Sequence, residues 1–123
     1  MTPAQSKAQF LADNLQPGEI YAGLILGQNG DPDHHLVLLP GETSASWPKA
    51  KAWAKEQGGE LPTRREQSLL FANCKAEFKA DWYWSSEPSG DSLAWSQTFY
   101  RGCQFGTHRS GELRARAVRR LIL

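Results

Sequence analysis

"DWYWSSEPSGDSLAWSQTFY", residues 81–100, holds three of the chain's five tryptophans. So dense an aromatic run serves as a sugar-stacking platform, the rim of an active site, or the middle of a core. Period-two alternation favours the core. Along "WYWSS", Trp82, Trp84 and Ser86 share one strand face while Tyr83 and Ser85 take the other. In "AWSQTFY", Trp95, Gln97 and Phe99 share a face. The turn "EPSGDS" joins the two strands, and a stripe of rings edged by serines reads as a sheet packed on something else. Trp82, Trp84 and Trp95 are therefore expected to be buried.

The same texture continues to residue 121. "GCQFG" and "LRARAVRRL" read as two further short strands, with "THRSG" between them. Upstream the periodicity is helical. "LPTRRE" starts a helix in which Thr63 is the cap, Glu66 returns the bond, and Leu70, Phe71, Cys74 and Phe78 form the buried stripe. The segment before it, "TSASWPKAKAWAKEQGGE", is a second helix. Ser44 or Ser46 caps it, Pro48 fits only its first turn, Trp47, Ala50, Trp53 and Ala54 share a face, and Gly58-Gly59 ends it.

"EIYAGLILG" and "HHLVLLPGE" flank the turn "QNGDPD" as a hairpin, with Gly23 admitting a close neighbour. Residues 1–17 form an amino-terminal helix, capped by Thr2 and Gln5 around Pro3, with Ala4, Ala8, Leu11 and Leu15 as its apolar face. The order is helix, hairpin, two helices, then a sheet, so the fold class is α+β. The expected division is residues 1–17 as a helix and 18–123 as one domain.

Composition narrows the function classes. With 123 residues, 40% hydrophobic and 22% charged, the chain can bury a single core. The apolar stretches are strand-length, so no membrane span is expected, and "MTPAQSKAQF" lacks the features of a secretory signal. A cytoplasmic or virion-associated location follows as the expectation. Cys74 and Cys103 are expected to be reduced, buried and structural.

Charge is uneven along the chain. Up to Tyr100 there are eight Lys/Arg against twelve Asp/Glu; beyond it six arginines face Glu112 alone. These arginines are expected to pair with carboxylates such as Glu66 or Glu77, ahead of an acidic protein partner and of nucleic acid. Nucleic acid is disfavoured because the aromatics that would stack on bases read as buried.

The stretches "GGELPTRREQSLLF" (58–71), "YWSSE" (83–87), "AWSQTF" followed by a glycine, and "RAVRRL" (116–121) together resemble the Lcl C-terminal domain family, a domain of unknown function frequent in phage and bacterial genomes. The likeness spans residues 18–121 and suggests a phage or prophage version. Glu60 stands where that family usually carries tryptophan or arginine, and the amino-terminal helix lies outside its pattern. The resemblance implies a C-type-lectin-like fold, with two central helices packed on a small twisted antiparallel sheet.

Lectin-type calcium binding would need a loop and a strand of oxygen ligands. "EPSGD" imitates the first with Glu87 and Asp91; "AWSQ" lacks the second. No metal or other cofactor is expected. His34 and His35, adjacent on a strand, point to opposite faces and read as a surface pair. No nucleophile elbow, phosphate loop or cysteine signature is present, and formylglycine-generating enzymes of related fold need paired cysteines that are absent, so the chain is read as no enzyme.

The expected function is a phage-derived protein-binding module that presents irregular segments on a rigid sheet, with a host or phage protein as partner and a bacterial defence component among the candidates. The expected contact residues are Glu87, Asp91, Tyr100, Arg101, His108 and Arg109. The alternative is calcium-independent binding of a carbohydrate or receptor by a phage tail-associated protein, with Trp95 or Tyr100 as the stacking ring.

Overall fold

A computed structural model describes all residues, 1–123. The elements run α1 (Pro3–Asn14), β1 (Ile20–Ile25), β2 (His34–Leu38), β3 (Thr43–Ala45), α2 (Trp47–Glu56), α3 (Arg64–Cys74), a 3-10 turn (Lys75–Glu77), β4 (Trp82–Ser89), β5 (Leu93–Thr98), β6 (Gln104–His108), β7 (Leu113–Ala115) and β8 (Val118–Ile122). The α+β class holds. The strands form two sheets, β1-β2-β8 and β3-β7-β4-β5-β6. The larger is not wholly antiparallel, because β4 and β7 run parallel where Tyr83 faces Arg114.

Local chemistry explains the helix starts. The Thr63 hydroxyl accepts from the Glu66 amide at 3.2 Å, and the Glu66 carboxylate accepts from the Thr63 amide at 2.8 Å. Thr2 and Gln5 make the same reciprocal pair at α1. At α2 the cap is Ser46, whose side chain makes no capping bond, and Pro48 takes the first turn. Gly59 is required by close approach rather than by helix termination alone. A Cβ there would stand 2.2 Å from the Val118 carbonyl oxygen, where residue 60 pairs with residue 118. Gly23, at φ 130°, lies against Leu69 and Asn73 of α3 as expected.

Two cores sit on the two sides of the larger sheet. One joins Trp47, Ala50 and Ala54 of α2 to Leu61, Trp84, Ala94, Ala115 and Ala117. The other joins Leu70 and Cys74 of α3 to Ala22, Leu36, Leu38, Tyr83, Phe99 and Val118. Trp84 is fully buried and donates its indole N–H to the Ala45 carbonyl at 2.9 Å; burial of such a ring stabilises by about 3–5 kcal/mol relative to alanine.

Four expectations need correction. Trp82 and Trp95 are only partly buried, while Tyr83, assigned to the opposite face, is 1% exposed, because α2 and α3 cover opposite faces of β4. "LRARAVRRL" is two strands in different sheets. The chain crosses between them at Arg116-Ala117, where the Leu39 amide donates to the Ala117 carbonyl and Arg116 donates to the Leu39 and Glu77 carbonyls. The apolar face of α1 buries none of its residues; Phe10 attaches it instead, against His35 (4.6 Å between centroids) and Tyr21 (5.4 Å). Cys103 is exposed, since it follows the Gly102 turn onto the edge strand β6, whereas Cys74 is buried as expected.

Candidate functional site

The six expected contact residues do not gather in one place. Asp91, His108 and Arg109 lie at one end of the larger sheet, where the Arg109 amide donates to the Ser92 carbonyl and His108 faces Leu93. Tyr100 and Arg101 lie beyond the other end of β5, whose six residues place them roughly 17 Å away at strand rise. Glu87 belongs to neither. Its carboxylate accepts from the Arg64 amide at 2.7 Å, at the start of α3.

Exposure corrects the list further. Asp91, Tyr100, Arg101 and His108 are exposed, but Glu87 and Arg109 are partly buried and engaged. The Arg109 guanidinium donates to the carbonyls of Leu93 and Gly90 and sits 4.8 Å from the Trp47 ring, so it staples two turns to α2. Glu87, held by the Arg64 amide, does not form a cation cage with Asp91, and no group of three or more metal-ligating side chains converges anywhere.

The end bearing Tyr100 has the composition of a contact surface. Tyr100 is 60% exposed with the Arg101 guanidinium 5.3 Å from its ring. Phe105, on the outermost strand β6, is 59% exposed and meets the half-buried Trp82 edge-on at 5.8 Å. Phe105 was not among the expected residues. The sequence signal for it is the strand "GCQFG", but alternation cannot say which strand ends up at an edge. Trp95 is removed as a stacking ring, because the Arg64 guanidinium covers it at 3.6 Å.

The third region surrounds Glu66, which is 1% exposed. Its Oε1 accepts from the Thr63 amide and from Arg120, both at 2.8 Å; its Oε2 accepts from Arg120 Nε and from His34 Nε2, both at 2.7 Å. Burial pushes this carboxyl up, but the bonds from Arg120, Thr63 and His34 outweigh it and hold it below its ordinary value. Arg120 also donates to Glu60 at 2.5 Å, which gives the departure at position 60 a structural role.

Three of the six carboxyl-terminal arginines pair with carboxylates as expected; Arg109 and Arg116 donate to backbone carbonyls instead, including that of Glu77, and Arg101 forms no ion pair. Besides Arg120, Arg119 clamps Glu19 and Arg114 bridges Asp81 and Glu42. Bonds from the same arginines hold the Glu19 and Asp81 carboxyls low. Tyr83 donates to Glu42, and burial followed by that bond pushes its hydroxyl up to about 12. The histidines are not a free surface pair. They do point to opposite faces, His34 to Glu66 and His35 to the Tyr21 hydroxyl at 2.8 Å, and each is partly buried.

Next to Glu66 lies an open cleft of about 510 Å³, lined by His34, Arg64, Arg65, Ser68, Glu87 and Gln104 among others. A chain of glutamine amides backs it. Gln104 donates to Gln97 (2.8 Å), Gln97 to the Gln67 carbonyl (2.8 Å), and Gln67 to the Tyr83 carbonyl (3.1 Å). No protein-family model matches the chain, and no curated protein matches it in sequence. No helix is long and apolar enough to cross a membrane.

Proposed function

We propose that this chain is a non-enzymatic, phage-derived protein-binding module with a C-type-lectin-like scaffold, acting on a host protein such as a defence component. The observation that carries the reading is two exposed rings toward one end of the larger sheet: Tyr100, with Arg101 by its ring, and Phe105, with Trp82 against it. Tryptophan, tyrosine and arginine are the residues in which interface energy concentrates. The outer edge of β6 beside them has no neighbouring strand, which leaves backbone groups for a partner.

The stretches that carry the likeness to the Lcl C-terminal domain family pack against one another in this chain. The glutamate of "LPTRRE" and the second arginine of "VRRL" meet in one buried ion pair. The "YWSS" strand supplies the carbonyls of Tyr83 and Ser85 to Gln67 of α3 and Trp47 of α2. Motifs far apart in sequence thus belong to one packing unit.

The test is capture from bacterial lysate with the wild-type chain, Tyr100→Ala, Phe105→Ala, Asp91→Ala and His108→Ala. One stoichiometric protein should be retained by the wild type and by the Asp91 and His108 variants, and lost with Tyr100→Ala or Phe105→Ala. Retention by both aromatic variants, or no partner at all, would refute the reading. Glycan-array binding that depends on Tyr100 would instead establish the carbohydrate alternative.

A further inference from the structure

Of the chain's eight arginines three pair with carboxylates, Arg109 and Arg116 are taken up by backbone carbonyls, and Arg101 lies by the Tyr100 ring outside the cleft. Arg114, Arg119 and Arg120 are neutralised by carboxylates, whereas Arg64 and Arg65 form no ion pair although both line the cleft at the start of α3. Arg64 donates through Nε to Gln104 at 2.9 Å and lies over the Trp95 ring at 3.6 Å. Its two terminal nitrogens have no partner. Gln104 is itself held by Gln97 and by the Arg64 carbonyl, so the guanidinium is fixed from behind with its donor edge free. Arg65 spends only one terminal nitrogen, on the Leu26 carbonyl at 3.0 Å.

We propose that this cleft binds the phosphate group of a small, polar phosphorylated molecule. A guanidinium whose orientation is already set loses little side-chain freedom when it takes an oxyanion, and its fork matches phosphate in two parallel bonds. The open donors on Arg64 and Arg65 exceed what the two oxygens of one carboxylate take up, which favours phosphate. The carboxylates nearby do not cancel the field. Glu66 is paired with Arg120 and is not a lining residue; Glu87 lines the cleft and keeps its charge, one oxygen taking the Arg64 amide. Two unpaired arginines against Glu87 leave the lining net positive before His34 is counted.

Size and lining define the rest of the ligand. About 510 Å³ is more than an inorganic phosphate fills and lies within the range of small-molecule sites. Ile25 is the one hydrophobic lining residue, so the group attached to the phosphate should be hydroxyl-rich, as in a sugar phosphate, rather than apolar. The proposal does not depend on the Tyr100 surface binding protein.

Titration calorimetry of the full chain with ribose 5-phosphate, inorganic phosphate, ribose and gluconate tests the proposal. Ribose 5-phosphate should bind one to one and more tightly than inorganic phosphate, with no heat from ribose and at least tenfold weaker binding by gluconate. Arg64→Gln should weaken ribose 5-phosphate at least tenfold, while Lys49→Gln, an exposed charge elsewhere, should leave it unchanged. Because Arg64 also packs on Trp95, Arg65→Gln is the second variant, and it should weaken binding severalfold in a chain whose melting matches the wild type. No binding of ribose 5-phosphate at millimolar concentration overturns the proposal. So does equal affinity in both arginine variants, an equal loss in Lys49→Gln, or gluconate binding as tightly as the phosphate.

Discussion

Glu66 shows how a single residue can serve both a local and a global purpose. As the third residue of α3 it returns a bond to the Thr63 amide; as a buried charge it ties β2 and β8 to α3 through His34 and Arg120. An isolated carboxylate at that depth would be strongly unfavourable, and four donors on two oxygens offset the desolvation. Glu66→Gln replaces an acceptor by a donor facing Arg120 or His34, and should destabilise by about 3–5 kcal/mol in denaturant unfolding. A loss under 1 kcal/mol would show that the cluster relaxes around the amide. The lowered carboxyls also set an acid limit. A carboxyl whose folded pKa lies below its unfolded value, about 4.3 for Glu, contributes stability that is full above that value and vanishes as pH falls through the folded one. Glu66, Glu19 and Asp81 are all held low by arginine bonds, so stability should be flat with respect to them above about pH 5 and decline below it. Glu66→Gln should decline less steeply there.

At the scale of elements, capping and burial prove to be separate matters. Both α1 and α3 open with the same reciprocal cap, yet α3 buries Glu66, Gln67, Leu70 and Cys74 while α1 buries nothing. A cap says where a helix begins, since it satisfies amides within one turn; it says nothing of what the helix meets later. Thr63→Ala removes the acceptor for the Glu66 amide and should lower stability by about 1 kcal/mol, read from the shift of the unfolding midpoint. An unchanged midpoint would mean that the Glu66 network alone holds the helix start. Strand β4 makes the complementary point. Helices cover both its faces, so Tyr83 and Trp84 are both buried and alternation ceases to report burial. The rings left partly open are Trp82 and Trp95, one meeting Phe105 and the other roofed by Arg64.

For the molecule as a whole, the two cores contain no residue of α1. That helix is held by the Phe10 ring on Tyr21 and His35 and by Arg119 donating to the Asn14 carbonyl. Residues 18–123 should therefore fold alone with one cooperative transition, roughly 2 kcal/mol less stable than the full chain, the order of one aromatic contact and one hydrogen bond. A fragment lacking cooperative unfolding by circular dichroism would show that α1 completes the domain. What the sequence determined by itself was whatever depends on neighbours a few residues apart: three helices, the reciprocal caps of α1 and α3, the β1–β2 hairpin and the α+β class. The tertiary structure alone decided the rest. It divided residues 113–122 between two sheets, placed β6 at an edge, separated Asp91 and His108 from Tyr100 and Arg101, and put Arg64 over Trp95. These outcomes depend on which surfaces meet across 30 to 100 residues of chain, and helix or strand periodicity carries the face of each element but not the partner that covers it.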